Sequence, residues 1–166
     1  MNHNDADIYE RVRHLANVAV WSINLQARRI RDSEPEDAQF VFRRWMDYHY
    51  LIIALSRLRE TAQHLLSIVA LKDKMQPSIE HFEAEFPWLR DLRNVVAHFD
   101  EYPIGKGKNK ELRKEGMEVA TIGTDCLRWL NFEIRPEQAV KEGAALFHAI
   151  QTCAEVFTSA SAKKQK

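Results

Sequence analysis

One short segment of the chain gathers side chains that could do chemistry together: LRDLRNVVAHFDEY, residues 89 to 102. Arg93, Asn94 and His98 fall within a single expected helix. They combine a permanent cation, an amide and a base that titrates near neutral pH, the side-chain types for holding charge and moving protons. A bland reading stands beside this one. A histidine near a helix end is also a favourable charge against the helix dipole, and an Arg-Asn pair can be plain solvated surface.

Helical geometry sets what these residues can reach. Each residue turns ~100° and rises ~1.5 Å. Trp88, Leu92, Val95 and Phe99 therefore share a narrow arc that must face the core. Asn94 and His98, four apart, stack on another face. Arg93 and His98, five apart, lie ~140° from each other. Between them is Ala97, almost opposite the apolar stripe, where a small side chain lets a second backbone come close. One such helix does not converge its arginine and histidine on one small group. Two of them, related by a two-fold axis and touching near Ala97, would gather two of each around a shared cleft.

The elements that position this segment are mostly helical. Ile8, Val12, Leu15, Ala19, Ile23 and Ile30 recur at steps of three, four and seven, one face of a helix from about Asp7 to Arg31. Ser33-Glu34-Pro35-Glu36 supplies a capping-box pattern, with Ser33 as N-cap and Glu36 reaching back. A long helix follows, striped by Val41, Trp45, Tyr48, Ile52, Leu55, Ala62, Leu66 and Val69 and broadened by Phe42, Met46, Ile53 and Leu65. Pro77 is expected to open a shorter piece and Pro87 to interrupt it. The motif helix then runs to about Asp100, and Pro103, Gly105 and Gly107 end it in a lysine-containing loop. Met117 to Ile122 and Cys126 to Ile134, separated by Gly123-Thr124-Asp125, predict a β-hairpin. Pro136 fits the first turn of a final helix to about Phe157. The expected fold is all-α, one domain over 1–166 with frayed ends at 1–6 and 160–166: four to five bundled helices and a short β-hairpin inserted before the last.

Composition excludes several classes. Lys+Arg and Asp+Glu both total 24 in 166 residues, against a strongly basic coat for nucleic acid, which depends on neutralising many phosphates. Basic clusters at Arg28, Arg29 and Arg31, at Arg43 and Arg44, and from Lys106 to Lys114 read as solvated faces. Two cysteines, Cys126 and Cys153, without a CxxC pair fit a reducing compartment. The polar N-terminus lacks a signal-peptide layout, and no apolar run approaches the ~18 residues of a membrane span. A cytoplasmic protein without membrane contact is expected. Trp21, Trp45 and Trp129 read as core or interface anchors.

The segment R-N-V-V-A-H resembles the R-x(4–6)-H motif of the HEPN superfamily (higher eukaryote and prokaryote nucleotide-binding domains), including the polar residue that commonly follows the arginine. Its place near the end of a late helix, with a further helix behind it, is similar too. The resemblance implies a HEPN-like bundle and a metal-independent endoribonuclease that works as a homodimer, often as a toxin or defence enzyme with an antitoxin partner. Arg93 would then bind the scissile phosphate of RNA and stabilise transition-state charge. His98 would be the general acid–base group, giving 2′,3′-cyclic phosphate and 5′-hydroxyl ends. Asn94 would orient the imidazole or contact phosphate, Ala97 would be the dimer contact, and Asp100 and Tyr102, with Glu101 between them, could line the rim.

Other readings remain. Some relatives of that superfamily are non-catalytic modules binding nucleotides or proteins. A metalloenzyme reading would rest on seven histidines and the i,i+4 pair His81 and Glu85, without an HExxH or second pair, so no metal or cofactor is expected. Gly105-Lys-Gly107 is too short for a P-loop, although its lysines could touch an RNA backbone.

Overall fold

The structure is a computed structural model and describes residues 3–38, 42–102, 104, 106–107 and 120–156. It is mostly helical, with a small antiparallel sheet ahead of the last helix. Five α-helices are present among the described residues: α1 (His3–Arg31), α2 (Phe42–Gln63), α3 (Val69–Glu85), α4 (Leu89–Ala97) and α5 (Pro136–Thr152). No helix is long and apolar enough to cross a membrane. Helix α1 packs along α2 and α5, α3 lies against α5, and α4 lies on α2.

The expected stripe of α1 is nearly right and differs at one position. Tyr9, Val12, Ala16, Ala19, Ile23, Ala27 and Ile30 are buried, whereas Leu15 is 52% exposed. The alanines explain this: short side chains on the inner arc bring α2 and α5 close, so the contact runs through Ala16 rather than its larger neighbour. From α5, Gly143 completes the close approach, since a methyl group there would press on Ile23 Cδ1 at 3.2 Å. Trp21, 73% exposed, is no core anchor, while Trp129 is fully buried.

At the end of α1 the basic pair Arg43 and Arg44 is structural. Arg43 donates Nη1 to the Arg29 carbonyl and Nη2 to the Asp32 carbonyl, and Arg44 donates Nε to that of Ile30. These are the carbonyls that a helix C-terminus leaves without partners. Arg43 also meets the carboxylates of Asp37 and Asp47, and its guanidinium holds Asp37 well below the usual carboxylate range. The expected reach-back is made one residue later, by Asp37 Oδ2 to the Glu34 amide at 2.9 Å. It opens a single 3₁₀ turn, Pro35–Ala38, ahead of α2.

The long central helix divides sooner than proline rules suggest. Ile68 is extended (φ −89, ψ 105) and fully buried, and the Ser67 hydroxyl donates to the His64 carbonyl at 2.7 Å. A 3₁₀ turn, His64–Ser67, thus ends α2, and α3 restarts at Val69, which is 90% exposed. Pro77 therefore lies inside α3 rather than opening it. It sits on the solvent side, where water can take up the carbonyl its missing N–H abandons.

The expected two-stranded hairpin is a three-stranded meander, Ala120–Ile122, Leu127–Trp129 and Phe132–Ile134, paired in sequence order. A two-residue turn at Leu130 and Asn131, both with positive φ (52 and 66), splits the second run. Asparagine tolerates that conformation; leucine does not, and its strain of roughly 1–2 kcal/mol is offset by burying the side chain. Tyr48 of α2 fastens the sheet by donating to the Gly123 carbonyl at 3.1 Å. Val41, Pro103, Gly105, the loop lysines Lys108, Lys110 and Lys114, Met117 to Val119 and the tail from 157 lie outside the described residues.

Candidate functional site

Helix α4 has only nine residues, too few to be stable alone. It is held by Leu89, Leu92 and Val95, all buried, each contributing about 1.5–3 kcal/mol of apolar burial. The opposite face is open, with Ala97 exposed and Arg93, Asn94 and His98 half-buried.

The helix ends at Ala97, three residues sooner than expected. His98 is its C-cap (φ −126, ψ 39), still donating its amide to the Asn94 carbonyl at 3.1 Å. The chain then turns, the Glu101 amide bonding the His98 carbonyl at 2.9 Å. That turn brings Glu101 Oε1 to 3.2 Å from His98 Nδ1. A carboxylate there favours the tautomer with the proton on Nδ1, leaving Nε2 for proton transfer. The ring's side-chain partner is thus Glu101, not Asn94. Asn94 Oδ1 instead accepts a long bond from Arg93 Nη1 at 3.5 Å.

Phe99, expected in the core stripe, lies beyond the helix and is 40% exposed. Its ring meets Trp45 (6.4 Å between centroids), His49 (5.7 Å) and Trp129 (6.4 Å). These rings fasten the chain just after His98 to α2 and the sheet. Tyr102 is buried, and its ring covers Gly107 so closely that any side chain there would collide with it. Asp100 is exposed.

His49 is the unusual member of the ring cluster. It is 6% exposed, its Nε2 has no hydrogen-bond partner among the described residues, and burial pushes its pKa down to about 4. The neutral imidazole packs as an aromatic ring, stacked on Trp129 at 5.6 Å. Unfolded, the same group titrates near 6.5, so between about pH 6.5 and 4 the unfolded chain binds the extra proton. Stability is full above that window and falls as pH drops through it, by about 3 kcal/mol in all. Melting temperatures from pH 7.5 to 4.5 should show the decline. His49→Phe, which keeps a ring but removes the titration, should flatten it; an equally steep decline in that variant would assign the effect elsewhere.

The other end of α4 opens on a cleft of about 220 Å³ where it packs on α2, lined by Ser56, Arg59, Glu60, Arg90, Arg93 and Asn94 among others. His98 is not part of that lining. Arg90 repeats Arg93 one turn earlier, a spacing visible in sequence. Arg59 and Ser56 come from α2 and carry no local signal.

His81 and Glu85 do not converge. His81 Nε2 lies 3.0 Å from Glu142 Oε2, while Glu85 accepts from Gln138 at 2.9 Å. Among the described residues no group of three metal-binding side chains forms. Comparison with protein-family models, curated proteins and solved structures returns no match to this chain.

Proposed function

We propose that the protein is a metal-independent endoribonuclease of HEPN type acting as a homodimer, in the manner of a toxin or defence ribonuclease. The observation that carries this reading is the outer face of α4. Arg93 has no carboxylate partner among the described residues, and five residues on, a half-exposed His98 has Nδ1 held by Glu101. An unneutralised guanidinium is ready for a phosphate, and a histidine with one nitrogen engaged is oriented for proton transfer through the other.

The chemistry follows from that pairing. His98 Nε2 of one protomer accepts the ribose 2′-hydroxyl proton as that oxygen attacks the adjacent phosphorus. The 5′-oxygen leaves, protonated by the second protomer's histidine. Arg93 stabilises charge on the phosphoryl oxygens, and the products are a 2′,3′-cyclic phosphate and a 5′-hydroxyl. One observation favours a second reading, a nucleotide-binding module without catalysis: the cleft that Arg93 lines excludes His98.

The test is cleavage of RNA by purified protein in excess chelator, with the ends identified. RNA should be cut and carry cyclic phosphates, and DNA, lacking the 2′-hydroxyl, should survive. Cleavage of DNA, or an absolute need for divalent metal, would favour a metalloenzyme.

A further inference from the structure

We infer that the cleft between α2 and α4 is a docking site for a phosphate of the RNA chain other than the one being cut, held by Arg90 and Arg59, neither of which belongs to the motif. Arg90 and Arg93 stand three residues apart on one helix face, like charges that by themselves oppose helix formation. Neither has a carboxylate partner among the described residues. Elsewhere Arg29, Arg43, Arg128 and Arg135 each sit on one, whereas Arg11, Arg28, Arg31 and Arg57 do not among the described residues. What sets Arg90 and Arg93 apart is that they line one cleft together, where two unneutralised guanidiniums suit an anion from outside.

Arg59 supplies the third cation from the facing helix. Its Nε donates to Glu83 Oε1 at 2.7 Å and its Nη2 lies 2.6 Å from the same oxygen, which fixes the plane of the guanidinium and leaves Nη1 unengaged among the described residues. Glu60, a carboxylate in the lining, accepts from the Ser56 hydroxyl at 3.1 Å. With its oxygen turned to Arg93, Asn94 has its amide hydrogens available for an anion.

Size points to a chain rather than a free nucleotide. About 220 Å³ falls below the ~300–1,000 Å³ of pockets that enclose a whole small molecule. It takes one group, with the remainder of the ligand lying along the surface. Since His98 lies outside the cleft, about 12 Å along the helix from Arg90, the phosphate held there is a neighbour of the scissile one. Arg93 stands between the two.

The identity of the polymer rests on the ribonuclease reading; the anion site does not. The experiment measures anisotropy of a labelled short 2′-O-methyl RNA, which cannot be cut, across a range of salt, with wild type, Arg90→Gln, Arg59→Gln and the remote control Arg28→Gln. Adenosine 3′,5′-bisphosphate serves as the free-nucleotide arm, and circular dichroism monitors folding, because Arg59→Gln also frees Glu83. Arg90→Gln and Arg59→Gln should each weaken binding about tenfold and lower the salt slope by about one ion, with Arg28→Gln unchanged. With cleavable RNA the loss should fall on KM rather than kcat. An unaltered affinity and slope in Arg90→Gln overturns the inference, as does bisphosphate binding as tightly as the chain. Wild type that binds 2′-O-methyl RNA through Arg90 yet never cuts unmodified RNA sinks the ribonuclease reading and leaves the cleft standing. Cleavage with KM unmoved in Arg90→Gln does the reverse.

Discussion

Replacing His98 with alanine is expected to remove RNA cleavage while leaving helical circular dichroism and melting nearly unchanged, and Arg93→Ala should do the same. General acid–base catalysis supplies roughly 10²–10⁴-fold in rate, so the loss should be plain. The surroundings of both side chains make the test clean. His98 is at a helix end with its ring half-exposed, and Glu101 is its side-chain hydrogen-bond partner among the described residues. Among the described residues Arg93 makes one long bond, to Asn94, and has no carboxylate partner, so its truncation strands no buried charge there. Glu101→Gln should cost less, roughly tenfold, because it alters the tautomer preference and leaves the imidazole in place. Full activity in purified His98→Ala or Arg93→Ala removes that residue from the mechanism.

The second large effect concerns association. Ala97 is exposed and opposite the buried Leu92 and Val95, so a larger residue there does not disturb the protomer's own packing. Ala97→Glu puts like charges and added volume where two motif helices are proposed to meet. It should leave a folded protein with weakened self-association and much reduced cleavage. A glutamate at 97 is also four residues from Arg93 and could pair with it inside one helix. Ala97→Lys disrupts the same contact without that pairing, so both variants belong in the experiment. Sedimentation alongside an RNA assay decides it: dimers that cut RNA normally in both variants would falsify the shared-cleft geometry.

Local periodicity carried much of the architecture. The inner arc of α1 through Val12, Ala19, Ile23 and Ile30, the buried face of α4 through Leu92 and Val95, and Pro136 at the start of α5 were all legible. Such features depend on residues one turn apart, and helical repetition makes those neighbours predictable. So was the polar trio of Arg93, Asn94 and His98 on one short element.

What sequence left open depended on partners far along the chain. The break at Ile68 rather than Pro77 arises because a buried extended residue ends α2, while a solvent-facing proline is tolerated within α3. Arg43 and Arg44 looked like solvated charge until the turn after α1 delivered open carbonyls to them. Phe99 leaves the helical stripe because rings from α2 and the sheet receive it outside the helix. The Glu101 contact to His98 requires the chain to turn, and Arg59 reaches the cleft only because α4 lies on α2. Sequence alone determined which residues share a helix face. Tertiary structure decided which of them meet a counter-ion, a ring or open solvent, because those encounters are set by packing between elements and not by spacing within one.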